Sequence, residues 1–172
     1  MTSLPRLLLA PAAALLAAGC ASLEPPSFPA GASMSDVETR LGRPPSVMKT
    51  SAGDTVWQYP KGPNGQRTYM ADFGPDQRLR RFYQALTIEQ FARIRIGMPE
   101  EEIRLLFGPP GEMMAFSRMN ELVWSYHYQA SWSDNRIFNV HFDASTRAVR
   151  STSDQVDPLL NPWNMGSGPA GL

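Results

Sequence analysis

The sequence is poor in the residues that build disulfides and metal centres. It contains one cysteine, Cys20, and two histidines, His127 and His141, in 172 residues. A single cysteine cannot form an intrachain disulfide, and without a second thiol no cysteine pair is available for a structural zinc site. Strand alternation, described below, places both histidines on the polar, exposed side of a sheet. We therefore expect no metal and no cofactor.

Net charge and long apolar runs are lacking as well. The 16 basic and 16 acidic residues cancel at pH 7, and the basic residues are scattered. Nucleic-acid binding is therefore not expected, because it needs a concentrated positive field. The apolar run "LLLAPAAALLAA" covers residues 7–18 and is too short to span a bilayer. Hydrophobic residues still make up 42% of the chain, enough to bury a core.

The N-terminal segment has the features of an export signal. Arg6 precedes the apolar run, and the ending "LLAAGC" resembles a bacterial lipobox. That resemblance implies that residues 1–19 are a lipoprotein signal peptide and that Cys20 is lipidated as the first mature residue. The alternative is an ordinary secretory signal cleaved near Ala18, which would leave a stray thiol. We favour lipidation, because a lone cysteine at this boundary has little other purpose.

Lipidation sets the expected location of the protein. Several acyl chains, at about 0.8 kcal/mol per buried methylene, anchor a protein stably to a membrane. The residue directly after Cys20 is Ala21 and not aspartate. By analogy with bacterial sorting rules, this favours transfer to the outer membrane. We expect a lipid anchor in the outer membrane, a domain that faces the periplasm, and a proline-rich lipidated tether over residues 20–30.

The remaining chain repeats itself. "GASMSDVETRLGRP" at 31–44 matches "GMPEEEIRLLFGPP" at 97–110, and each segment predicts a short amphipathic helix that ends at a glycine. A Ser33/Asp36 capping box begins the first helix, and Pro99 suits the first position of the second. A Thr87/Gln90 capping box adds another helix. The repeats are predicted over 31–84 and 85–153, followed by a disordered tail over 154–172.

Strands follow each predicted helix. "VWQY" at 56–59 recurs as "VWSY" at 123–126, and "YMADF" at 69–73 recurs as "FNVHF" at 138–142. Alternation places Trp57 and Trp124 on inward faces, and earlier short strands near 46–50 and 113–117 complete three strands per copy. The predicted fold is α+β: two tandem repeats of a helix and an antiparallel three-stranded meander. The helices pack on one face of a continuous sheet.

The helix–glycine–proline–tryptophan order resembles the SmpA/OmlA domain of BamE-type outer-membrane lipoproteins. The doubled arrangement is similar to the tandem units of beta-lactamase inhibitor proteins. The first resemblance implies an accessory role beside the proteins that insert barrels into the outer membrane. No spacing in the sequence indicates a nucleophile, a histidine and an acid acting together. We therefore expect a non-enzymatic envelope scaffold with protein partners, possible barrel-assembly proteins among them.

A second hypothesis of function stays open. The chain would then be an inhibitor-like module that grips an exported enzyme or peptide across its sheet. We favour the scaffold, since a lipid anchor suits a fixed membrane machine better than it suits a secreted inhibitor.

Two groups of residues are candidates for partner binding. Met113, Met114 and Met119 lie close together in sequence beside Phe116, and flexible thioethers suit adaptable binding surfaces. The favoured alternative is that they fill gaps between the helices and the sheet. Trp132 lies at a predicted hairpin tip in "ASWSDN". Its ring either folds back over its own sheet or anchors a partner.

Replacing Cys20 tests the lipid anchor. Metabolically supplied palmitate should label the wild type but not Cys20→Ala, and the variant should move from the membrane fraction to the soluble periplasmic fraction. Retention of the label by the variant would place the acyl group elsewhere and contradict the expectation.

Overall fold

A computed structural model describes residues 26–61 and 65–160. Cys20, the signal segment, the first part of the tether and residues 161–172 lie outside this range. The described residues form two four-stranded antiparallel sheets and three short helices. None of these helices is long and apolar enough to cross a membrane.

The first copy forms one sheet, here called sheet 1, and one helix. Its strand order is β1-β2-β3-β4. The elements are α1 (Met34–Leu41), β1 (Ser46–Lys49), β2 (Thr55–Lys61), β3 (Arg67–Phe73) and β4 (Leu79–Gln84). The predicted Ser33/Asp36 capping box is confirmed at the start of α1, and Gly42 ends the helix with φ 80°, a conformation that favours glycine.

The second copy forms the other sheet, here called sheet 2, with the order β5-β6-β7-β8. The elements are α2 (Ile88–Phe91), α3 (Glu100–Phe107), β5 (Glu112–Phe116), β6 (Glu121–Ser131), β7 (Asp134–Asp143) and β8 (Val149–Val156), with a 3-10 turn at Ser117–Met119. Thr87 caps α2 by accepting from the backbone N–H of Gln90, as predicted. Pro99 is the N-cap of α3, one position before the predicted one.

The predicted fold class is wrong. The protein is mostly β, with two separate four-stranded sheets in place of helices packed on three-stranded meanders. The sequence does not predict β4 and β8, because "LRRFYQ" and "VRSTSDQV" lack the apolar alternation that marks a half-buried strand. Both are edge strands, whose exposed residues carry little hydrophobic signal. The boundary predicted at 154 is also too early, since β8 continues to Val156 and Asp157 is buried.

The predicted inward faces are confirmed. Trp57, Tyr59 and Phe73 are buried with Val37 of α1 in the core of sheet 1. The core of sheet 2 contains the equivalent aromatic side chains under α2 and α3. Its largest members are Phe91, Phe107, Trp124, Tyr126, Tyr128 and Phe142. Each copy therefore packs helix against sheet with the same set of alternating positions.

Helix α3 joins the two copies. Ile103 and Phe107 face the core of sheet 2, whereas Leu105 packs against Val56 and Met70 on the opposite, outer face of sheet 1. The buried side chain of Gln58 donates from Nε2 to the carbonyl oxygen of Arg104 at 2.9 Å. Sheet 1 is consequently covered on both faces, and α3 is shared by both copies.

Removal of the equivalent tryptophans tests the repeated core. Trp57 is 8% exposed and Trp124 is 1% exposed, so Trp57→Ala and Trp124→Ala should each lower the free energy of unfolding by about 3 to 5 kcal/mol. Denaturant unfolding measures this, with Trp132→Ala as a control, because the Trp132 ring is 94% exposed. A loss below about 1 kcal/mol at either core position would contradict the assignment.

Candidate functional site

The outer face of sheet 2 carries an open groove of about 360 Å³. In sheet 1 the corresponding face is covered by α3, whereas no helix of the described residues covers it in sheet 2. Its floor combines polar side chains with Val123 and Ile137, and its rim along β5 and the 3-10 turn is mostly apolar. The lining residues are Glu112, Met114, Phe116, Met119, Glu121, Val123, Ser125, Ile137, Asn139, His141, Ser153 and Gln155. We call this surface the sheet 2 groove.

A continuous chain of hydrogen bonds crosses the floor of the sheet 2 groove. The hydroxyl of Ser125 donates to Asn139 Oδ1 at 2.7 Å, and Asn139 Nδ2 donates to Ser153 Oγ at 3.3 Å. His141 then joins two partners: its Nε2 lies 3.0 Å from Ser153 Oγ, and its Nδ1 lies 3.1 Å from Glu121 Oε1. The chain thus ends in a carboxylate whose side chain is only 16% exposed.

Strand register explains how these residues meet. His141 lies directly opposite Val123 on β6 and Ser151 on β8. Glu121 and Ser153 are each two residues away from those partners, so both are diagonal neighbours on the same face. The sequence indicated that His141 lies on the polar face, but Ser153 belongs to β8, which was not predicted.

His127 is not exposed, contrary to the expectation. It lies on the predicted outer face, yet its side chain is only 2% exposed. Its Nδ1 is 2.8 Å from Oδ2 of the buried Asp157, just beyond β8. Asp157 also accepts from the backbone N–H groups of Leu159 and Leu160. The predicted disordered tail therefore begins with the end of β8, followed by an ordered turn that covers His127.

The three candidate methionines do not form one cluster. Alternation along β5 turns Met114 and Phe116 toward the sheet 2 groove, where Met119 joins them. Met113 lies opposite Trp124, on the other face of the strand. All three methionines are exposed, with Met113 at 61%, so they do not fill gaps in the core.

Trp132 lies at the tip of the β6–β7 hairpin, as predicted. Its ring is 94% exposed and does not fold back over its own sheet. The tip is eight residues beyond the position on β6 that pairs with Met113, or roughly 26 Å at the rise of an extended strand. Trp132 is therefore separate from the methionines of β5.

A second hollow, of about 290 Å³, lies on the helical side of sheet 2 and is lined by Phe91, Phe138 and Tyr128 among others. Burial, together with the hydrogen bond that its hydroxyl donates to Asp154 Oδ2 at 3.0 Å, raises the pKa of Tyr128 to about 12. Hydrogen bonding to Asp154 in turn raises the pKa of Arg136. The phenol stays protonated near neutral pH, and the hydrogen bonds of Tyr128 and Arg136 to Asp154 connect β6 and β7 to β8.

Two further predictions from the sequence concern lipidation of Cys20 and metal binding. Cys20 lies outside the described residues. Among residues 26–61 and 65–160, no three metal-ligating side chains come close enough together to hold an ion.

Comparison with known proteins gives no family. No family model matches the chain, and no curated protein matches it. Among solved structures, an extracellular protein containing a SCP domain from Bacillus anthracis str. Ames aligns with 12% identity and a TM-score of 0.28. That alignment covers 76% of this chain and 45% of the other.

Asp157 provides a test of the buried histidine pair. Asp157→Ala leaves Nδ1 of His127 and two backbone N–H groups without their acceptor, so the free energy of unfolding should fall by about 2 to 3 kcal/mol. Asp134→Ala is the control, because Asp134 forms a surface ion pair at 3.7 Å and should cost less than about 1 kcal/mol. Equal losses in urea unfolding would show that the pair does not stabilise the fold.

Proposed function

We propose that the protein is a lipid-anchored envelope scaffold that takes part in outer-membrane assembly or maintenance through protein contacts along β5. The observation that carries the proposal is the exposure of this strand. β5 is at the edge of sheet 2, and all five of its residues are exposed. An exposed, apolar edge strand is a template for pairing with another chain.

The equivalent edge strand of the first copy can be compared with β5. β1 is the equivalent edge of sheet 1, and register aligns its Val47 with Met113 and its Lys49 with Ala115. Lysine on an edge strand discourages pairing with other chains. β5 has alanine at that position and carries Met113, Met114 and Phe116 beside it, so it lacks the lysine that protects the equivalent edge of sheet 1.

The expected partner segment is extended and apolar. Main-chain hydrogen bonds to the free side of β5 would supply affinity, and methionine side chains would adapt to its side chains. Segments that enter outer-membrane barrels have this character, as alternating apolar strands. The lipobox-like motif that ends at Cys20 would hold the scaffold at the membrane where such segments are assembled.

The alternative, an inhibitor-like module that binds across its sheet, would use a different surface. Helices cover the inner faces of both sheets, and α3 covers the outer face of sheet 1. Such a module would therefore bind through the sheet 2 groove, not along β5.

A charge placed on β5 tests the proposal. Met113→Lys should reduce recovery of the crosslinked partner at least tenfold from intact cells, because truncation or burial of charge at an anchor commonly costs about 2 kcal/mol or more. Val47→Lys, at the equivalent and similarly exposed position of β1, is the matched control and should leave recovery unchanged. Both variants should keep the melting temperature within a few degrees of the wild type.

The identity of the recovered protein decides between the two functions. Barrel-assembly subunits that are lost in Met113→Lys support the scaffold. A single soluble exported enzyme, recovered equally from both variants, supports the inhibitor-like module and overturns the proposal.

A further inference from the structure

We propose that Ser153, His141 and Glu121 form a hydrolytic triad on the floor of the sheet 2 groove, with esters of apolar acyl groups as its substrates. This activity goes beyond the proposed scaffold and does not depend on it. It rests on three side chains from three neighbouring strands, which the register of β6, β7 and β8 brings together.

The geometry fits a nucleophile, a base and an orienting acid. Ser153 Oγ lies 3.0 Å from His141 Nε2, and His141 Nδ1 lies 3.1 Å from Glu121 Oε1. Both distances are within the range in which an activated hydroxyl and its base are hydrogen-bonded. The carboxylate of Glu121 accepts the Nδ1 proton, so Nε2 presents its lone pair to the Ser153 hydroxyl.

Burial distinguishes this array from an ordinary polar sheet surface. The side chains of Glu121 and His141 are 16% and 22% exposed, although they lie on the open face of sheet 2. Ser153 itself is exposed. The acid and the base are thus shielded from water, while the nucleophile is accessible to a substrate, as acyl transfer requires.

The reaction balances with water as the only co-reactant. Ser153 Oγ bonds to the carbonyl carbon of the ester while its proton passes to His141 Nε2. The carbon–oxygen bond to the alcohol then breaks, and the alcohol leaves with that proton. Water attacks the acyl-serine, His141 again transfers the proton, and the free acid departs.

Asn139 is placed to stabilise the developing negative charge. Its Nδ2 donates to Ser153 Oγ at 3.3 Å, so the amide lies beside the atom that becomes bonded to the substrate carbon. The tetrahedral oxyanion forms next to Oγ, within reach of the same N–H group. Ser125 holds this amide in orientation by donating to Asn139 Oδ1.

The rest of the groove indicates the substrate class. Apolar side chains line the part of the groove beside the triad that an acyl group would occupy, and Val123 and Ile137 are among them. The lining contains two carboxylates, Glu112 and Glu121, and it contains no lysine or arginine. An anionic substrate would be repelled, so a neutral ester with an apolar acyl group fits best.

Chemical labelling of the full-length chain in detergent tests the triad. A fluorescent fluorophosphonate should label the wild type, and peptide mass spectrometry should place the adduct on Ser153. Ser153→Ala and His141→Ala should lower both labelling and hydrolysis of 4-nitrophenyl butyrate at least about 100-fold. Ser151→Ala is the matched control, because Ser151 lies on the same face of β8 two residues earlier and should be dispensable.

Glu121 acts by orienting the His141 ring, so its role needs a separate kinetic test. Glu121→Gln should lower kcat with KM unchanged, and Glu121→Asp should restore part of the loss, because only the second variant keeps the carboxylate. Equal losses in the two variants would contradict the assigned role.

The mapping experiment uses the wild type, so it gives an answer even where a variant fails to fold. No adduct on the wild type, an adduct on another residue, or equal labelling of Ser153→Ala would each overturn the triad. Met113→Lys should label normally, because Met113 lies on the other face of β5. Loss of partner recovery without loss of labelling thus separates the scaffold function from the hydrolytic one.

Discussion

The packing of α3 between the two sheets is the contact on which the architecture depends. One face of this helix supplies Ile103 and Phe107 to the core of sheet 2, and Leu105 closes the outer face of sheet 1. The buried amide of Gln58 reaches the backbone of the same helix. A four-stranded sheet with one short helix buries little surface by itself, so each copy depends on the helix that both share.

The same contact explains why the two copies differ. Register aligns Gln58, Met70 and Tyr83 of sheet 1 with Ser125, Asn139 and Ser153 of sheet 2. The larger side chains support a helix, and the smaller polar ones form a hydrogen-bonded floor that faces an open groove. A second copy of the chain is a poor cover for that groove, since α1 has Glu38 and Thr39 where α3 has Arg104 and Leu105. Glu38 would face the carboxylates of Glu112 and Glu121.

The sequence predicted those helices and strands that are marked by a pattern within their own residues. Alternation around Trp57 and Trp124 placed the core faces of four central strands correctly, and the capping residues Ser33 and Thr87 placed two helix starts. The edge strands β4 and β8 escaped detection because long-range pairing, and not their own apolar pattern, holds them in the sheet. Without β8 there was no reason to bring Ser153 beside His141, or Asp157 beside His127. The polar contacts of the site come from this missed strand and the turn after it.

Alternation along β5 also separates the two proposed activities in space. Met114 and Phe116 line the groove, whereas Met113 and Ala115 lie on the opposite face of the same strand. A partner strand that pairs with the edge of β5 would contact its backbone and need not cover the groove floor where His141 lies, two strands away, or Ser153, three strands away. Because neighbouring strands are about 4.8 Å apart, β8 is roughly 14 Å from β5, beyond the reach of a single added strand. A segment bound along β5 would therefore leave the nucleophile open to substrate, and a scaffold and a hydrolase can share one sheet without competing for the same atoms.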